Sequence, residues 1–245
     1  MGLYALLLII CIIGGIIQAT IGFGFSIFAM IFLVMMFPFN LAVAIAQMAG
    51  LLGGIFLVCK YWHEISWKIL MPFLVPAVVF GMVLTWYSVY IPVGHLKLIL
   101  GLTFIAIALF MVFGKNMFSI PATPFSGAVM GSISGSLNGL FAMGGPPVAL
   151  YFASALSGKI AYIATSNAYF LFFKFFSAPL RFLNGSVGIE HLGFMTTAMA
   201  GMGIGVYMGD RIMRSMPVDL LKNLVYGFVA LSGMMYVIQE LGSMV

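Results

Sequence analysis

Two stretches place hydrogen-bonding side chains and glycine where an apolar chain would otherwise run on unbroken: QATIGFGFS at 18–26 and NGLFAMGGPP at 138–147. Each joins a carboxamide, Gln18 or Asn138, to a glycine pair, Gly22 and Gly24 or Gly144 and Gly145. A helix that starts after such a break offers unpaired backbone N–H groups and a partial positive charge, which suits an anion. Glycine lets a ligand approach the backbone, and Pro146 or Pro147 fits a first helical turn, where no N–H is needed. Gln47 and Asn167 recur one segment later in each half, each pair 120 residues apart like Gln18 and Asn138. The four amides supply NH₂ donors from two directions, with Thr20, Ser26, Thr165 and Ser166 as hydroxyl candidates. Interhelical hydrogen bonding is the plainer role for any one of them. Four amides placed alike beside two breaks favour a ligand site.

The elements that would hold these groups are membrane helices. The chain of 245 residues is 64% hydrophobic and 6% charged, with a mean hydropathy of +1.21. Such a composition belongs in a bilayer, and its apolar runs have the ~20-residue length of a spanning helix. The net charge of +5 is spread singly over segment ends, so it reads as a topology signal and not as a nucleic-acid patch. Cys11 and Cys59 have no metal-ligand spacing and sit in apolar runs, so neither a disulfide framework nor a zinc site is indicated. Residues 1–17 lack a basic leader and a cleavage site and read as mature structure.

Leu3 to Phe37 is too long for one crossing: 35 residues make ~52 Å of straight helix. It reads as a half-helix entering over Leu3–Ile17, a turn, and a half-helix leaving over Ser26–Phe37. Phe125–Leu156 repeats the pattern. Full spans are expected at Leu41–Cys59, Ile69–Ser88, His95–Phe113, Ile160–Leu180, Leu192–Gly209 and Leu220–Leu241. PVGHLK at 92–97 and PVDLLK at 217–222 add to the internal similarity. The fold expected is an all-α polytopic membrane protein of two inverted repeats, 1–115 and 124–245, joined by the loop 116–123. Each repeat is a broken re-entrant hairpin plus three transmembrane helices.

Charge counting tests the re-entrant reading. If both broken segments leave on the side they entered, Lys60, Lys68, Lys115, Lys159, Arg211, Arg214 and Lys222 share one face, against Lys97 and Arg181 on the other. Full crossing would split the same residues five to four. The seven-to-two division is the one that obeys the positive-inside rule, and it puts both termini outside the cytoplasm.

GGIIQATIGFGFS at 14–26 and SGSLNGLFAMGGPPVALYF at 134–152, on this paired-repeat layout, resemble the TauE/SafE family of sulfite and organosulfonate exporters, also called the toluene-sulfonate uptake permease family. The likeness covers essentially the whole chain. The second motif is the more specific; the first has FGF where many relatives show a GGG-like run. The resemblance implies a transporter of small sulfur-containing anions such as sulfite or organosulfonates, in the cell inner membrane, most simply an exporter. A channel or an uptake permease for the same anions is the alternative.

The substrate-binding set expected is Gln18, Thr20, Gly22, Gly24, Gln47, Asn138, Gly144, Gly145, Asn167 and Lys174. Lys174 is the one charge well inside a span, either snorkelling to the interface or attracting an anion beside the cavity. Arg181 reads first as an interfacial anchor. The acidic residues sit at segment ends or in loops, which disfavours carboxylate-based coupling. No cofactor or metal is indicated. An intramembrane enzyme would need a nucleophile with its base inside the spans, and no His, Asp or Glu is placed to serve. The partners expected are a small anion and lipid, not nucleic acid; a homodimer is left open.

Overall fold

A computed structural model describes residues 2–113 and 121–212, the side chains of 107–113 excepted. The described residues are helical throughout, with no strand: α1 Gly2–Ile21, α2 Phe25–Met36, α3 Phe39–Lys60, α4 Trp67–Tyr87, α5 Val93–Phe113, α6 Pro124–Phe141, α7 Gly145–Ala155, α8 Lys159–Leu183 and α9 Leu192–Ile212. The expected span at Leu220–Leu241 and the PVDLLK match lie outside them, as does most of the loop 116–123.

Four segments are long and apolar enough to cross a membrane: α1, α3, α4 and Ile189–Ile212, which contains α9. The protein is therefore polytopic and integral to the membrane. Expected span α8 is missing from that set for a physical reason. It buries a polar face, Thr165, Ser166, Asn167, Lys174, Ser177 and Arg181, against the other helices. Its polarity is turned inward, so its composition understates how well a bundle in lipid tolerates it.

Close helix approach fixes the relative directions. Gly201, Gly205 and Gly209 of α9 lie against the backbone of Leu8, Ile12 and Ile16 in that order, so α1 and α9 run parallel. Gly131, Gly135 and Gly139 of α6 meet Phe73, Ala77 and Gly81 in the same manner, so α4 and α6 run parallel. A side chain at Gly205 or Gly135 would strike a carbonyl, which explains the four-residue glycine stride on both helices. Lys60 meets Asp210 while Gly53 meets Met202, so α3 runs with α9. Tyr169 stacks edge-on to Phe73 and Arg181 reaches Ser88, so α8 runs with α4. Gly50 faces Lys174 and Gly54 faces Leu171, which makes α3 and α8 antiparallel.

Thus α1, α3 and α9 run one way, and α4, α6 and α8 the other. We call the end where α1 starts the near face and the opposite end the far face. Because α1 and α3 are parallel with only α2 between them, α2 returns the chain. Phe194 at the start of α9 touches both ends of that excursion, Tyr4 at 4.8 Å and Phe37 at 4.9 Å between ring centroids. α7 likewise folds back on α6: the Tyr151 hydroxyl donates to the Thr123 carbonyl at 3.2 Å, beside the first turn of α6. The outgoing arms are longer than the half-helices expected. α1 has 20 residues, enough for ~30 Å, because nothing before Gly22 interrupts its backbone hydrogen bonds. The returning arms, 12 and 11 residues, rise only ~16–18 Å.

Packing between elements has a two-fold character. α1 lies along α9 as α6 lies along α4, α3 lies against α9 as α8 lies against α4, and α3 meets α8 at the centre.

Candidate functional site

The first break is made by glycine geometry. Gly22 at φ 87° and Gly24 at φ 110° occupy the left-handed region, which closes α1 and re-aims the chain into α2. In the second break Ala142 takes that conformation at φ 61°, and its N–H bonds the Asn138 carbonyl at 2.9 Å. A left-handed alanine costs about 1 kcal/mol or more, so the surrounding packing holds it there. Neither α2 nor α7 has a side-chain N-cap, and the N-cap residues are Gly24 and Gly144.

These two helix starts meet. Phe23 of the first break packs on Gly145 of the second. Between them lies a small pocket lined by Gln18, Gly24, Ser26, Ile27, Ala142, Met143, Gly145, Phe170 and Lys174. Two helix N-termini and one ammonium therefore surround a single space, with no carboxylate in its lining.

Lys174 is 3% exposed, so it does not snorkel. Its Nζ lies beside Gly50, 5.6 Å from the Phe170 ring centroid and 6.0 Å from that of Phe25. Ring faces stabilise a cation by roughly 0.5–2 kcal/mol, far less than the several kcal/mol that its burial costs. The charge is left in need of an anion.

The amides pair crosswise between the halves. Gln18 donates to the Asn167 side chain at 3.0 Å and to the Gly22 carbonyl at 3.3 Å, and accepts from the Phe25 N–H at 3.4 Å. Gln47 donates to the Asn138 carbonyl at 2.9 Å. Gln18 thus meets Asn167, and Asn138 meets Gln47. Of the expected residues, Gln18, Gly24, Gly145 and Lys174 line the pocket. Gln47 and Asn167 stand behind it, holding the breaks. The Thr20 hydroxyl donates back to the carbonyls of Ile16 and Ile17, and Gly22 packs on Tyr162. Gly144 sits on Ser134, whose Oγ lies 2.7 Å from the Gly144 carbonyl and 2.8 Å from the Tyr169 hydroxyl. The Asn138 carboxamide is fully buried without a hydrogen bond to either of its atoms, although it faces the Tyr169 hydroxyl.

Ala142, Met143, Ile27 and Phe170 belong to the pocket without any polar signal in the sequence; only their neighbourhood to the breaks could have marked the first three. Two further departures concern charge. Arg181 is wholly buried, not an anchor at the interface: its guanidinium bonds Gln47, Ser88 and the Gly139 carbonyl. Asp210 is 5% exposed and accepts from Lys60 and from Tyr61, the latter at 2.7 Å, so the end of α9 carries a buried carboxylate after all. A segment-end position concealed both, since depth at a helix end depends on neighbours that sequence does not reveal. Among the described residues no group of three His, Cys, Asp or Glu is placed to hold a metal ion.

A helical membrane protein whose interior presents two broken helices and a buried ammonium has the architecture of a transporter. The chain belongs to the sulfite exporter TauE/SafE family, whose match covers residues 6–236, most of its length. No curated protein and no solved structure matches it.

Proposed function

We propose that this protein carries a small sulfur oxyanion across the membrane, outward from the cytoplasm, and binds it between the starts of α2 and α7 with Lys174 as the counter-charge. The observation that carries this reading is the shared pocket: both helix starts and the buried ammonium line one space. The glycines admit the anion to backbone donors and Ser26 adds a hydroxyl donor, while Gln18, whose NH₂ hydrogens go to Asn167 and the Gly22 carbonyl, holds the first break in shape. The pocket is near mid-depth, since the returning arms leave ~16–18 Å between it and either face.

The two-fold packing supports an inverted repeat in which 1–115 and 124–245 are oppositely oriented units and the α1–α2 and α6–α7 hairpins re-enter from opposite sides. Lys60, Lys68, Lys159 and Arg211 belong to the far face, so that face is cytoplasmic, and the N-terminus lies outside in the cell inner membrane. Rocking of one repeat against the other would expose the pocket to each side in turn. Lys60–Asp210, tying α3 to α9 at the far face, is placed to close the cytoplasmic side.

Outward movement of one negative charge from a negative interior releases ~2.3 kcal/mol per 100 mV, which is sufficient drive without a second ion. Flux of radiolabelled sulfite from liposomes containing the protein tests this. An imposed potential, negative on the side of origin, should accelerate efflux in the absence of any pH gradient. Efflux indifferent to the potential and dependent on a pH gradient would refute the electrogenic reading, and currents beyond ~10⁵ ions per second would make the protein a channel.

A further inference from the structure

Arg181 is buried more completely than Lys174, yet the pocket does not include it. It follows Lys174 by seven residues on α8, two turns along the same face and about 10 Å closer to the near face. Its guanidinium has five N–H donors. Three are engaged: Nε with Gln47 Oε1 at 3.3 Å, Nη1 with Ser88 Oγ at 3.1 Å, and Nη2 with the Gly139 carbonyl. One N–H on each Nη is left over. All three partners are neutral, and among the described residues no carboxylate pairs with it: Asp210 is held by Lys60 at the other face, and Glu190 lies beside His191.

The surroundings are short of partners too. Ser177, one turn before Arg181 on the same face, is fully buried and its Oγ has no hydrogen-bond partner. Asn138, adjoining the Gly139 carbonyl that Arg181 bonds, has neither carboxamide atom hydrogen-bonded. Buried polar groups are nearly always satisfied, and a buried guanidinium without a counter-charge is costly. An unneutralised two-donor fork beside a free hydroxyl and a free carboxamide is a set of groups to which an oxyanion is the complement.

We propose that Arg181, with Ser177 and Asn138, forms a second binding station for the transported oxyanion, between the central pocket and the near face. The anion released from Lys174 moves two turns along α8 to the guanidinium, which holds it before exit. Gln47 braces the second station, since it bonds both Arg181 and the Asn138 carbonyl. This extends the central-pocket reading and rests on it.

Crystals of the full-length protein soaked in selenite, the selenium analogue of sulfite, test the station by anomalous scattering. Two selenium peaks are expected, one at Lys174 and one within hydrogen-bonding distance of the Arg181 Nη atoms. A peak at Lys174 alone overturns the second station and leaves the pocket standing; no peak at either overturns both. In the same protein, Arg181→Gln should abolish only the second peak and slow sulfite efflux about tenfold or more, a barrier change near 1.4 kcal/mol. Its affinity at the pocket should change less than about threefold. If Arg181→Gln does not fold, Ser177→Ala replaces it, and efflux equal to wild type would count against the station.

Discussion

At the scale of single residues, Lys174 carries the strongest prediction. Its ammonium is buried against Gly50 and two aromatic rings. Replacing a buried, unpaired charge by an apolar side chain of similar length removes a desolvation cost, so Lys174→Met should raise the melting temperature of the purified protein while abolishing sulfite-dependent stabilisation. A fall in melting temperature would mean that the ammonium has a structural partner. Gln18 behaves differently because it touches the pocket and also bonds Asn167 and the Phe25 N–H. Gln18→Ala should destabilise the fold by about 1–2 kcal/mol and weaken sulfite binding only through the loosened first break, because the hydrogen bonds it loses are internal ones. Asn138→Ala should leave folding nearly intact, since its own carboxamide makes no hydrogen bond. Thermal shift with and without sulfite separates these outcomes.

At the scale of elements, the glycine strides decide whether helices can meet at all. Gly135 lies on the Ala77 backbone and Gly205 on that of Ile12, with no flexible side chain to yield. Gly135→Val or Gly205→Val should therefore lower the yield of folded protein sharply, with a cost of at least 1–3 kcal/mol, whereas Gly2→Ala, which meets nothing, should be neutral. Unfolding in mild detergent followed by circular dichroism provides the comparison. The breaks were legible as glycine beside an amide in an apolar run. The reach of α1 was not, because an apolar helix of low polarity shows no stop signal until Gly22. Nor was the partner of each amide: a 120-residue spacing says that Gln18 and Asn138 are equivalent, and equivalence under a two-fold is compatible with meeting one another or each other's partners.

At the scale of the whole molecule, α1 and α3 run parallel with α2 folded back between them, and the proposed topology builds on that direction together with the distribution of Lys and Arg. Ionic contacts at the two faces differ in kind. The far face is tied by Lys60, Tyr61 and Asp210 between α3 and α9, and the near face by Arg181 and Asn184 between α8 and α4, without a carboxylate among the described residues. With the far face cytoplasmic as proposed, breaking the former by Asp210→Asn should favour the state open on that side, read as faster labelling of Cys59 at the end of α3 by a membrane-impermeant thiol reagent applied to inside-out vesicles. Unchanged labelling would remove the ion pair as a closure. Burial of Asp210 and Arg181 could not be read from sequence, because whether a helix end is covered depends on which helices stand beside it.

The central claim is that one small oxyanion binds where the starts of α2 and α7 meet Lys174. Isothermal titration of sulfite into the purified full-length protein, and into its Lys174→Gln variant confirmed as folded by gel filtration, tests it most directly. The account predicts a saturable site in the wild type, with affinity in the variant weakened at least about tenfold. Equal affinity in both proteins would contradict it.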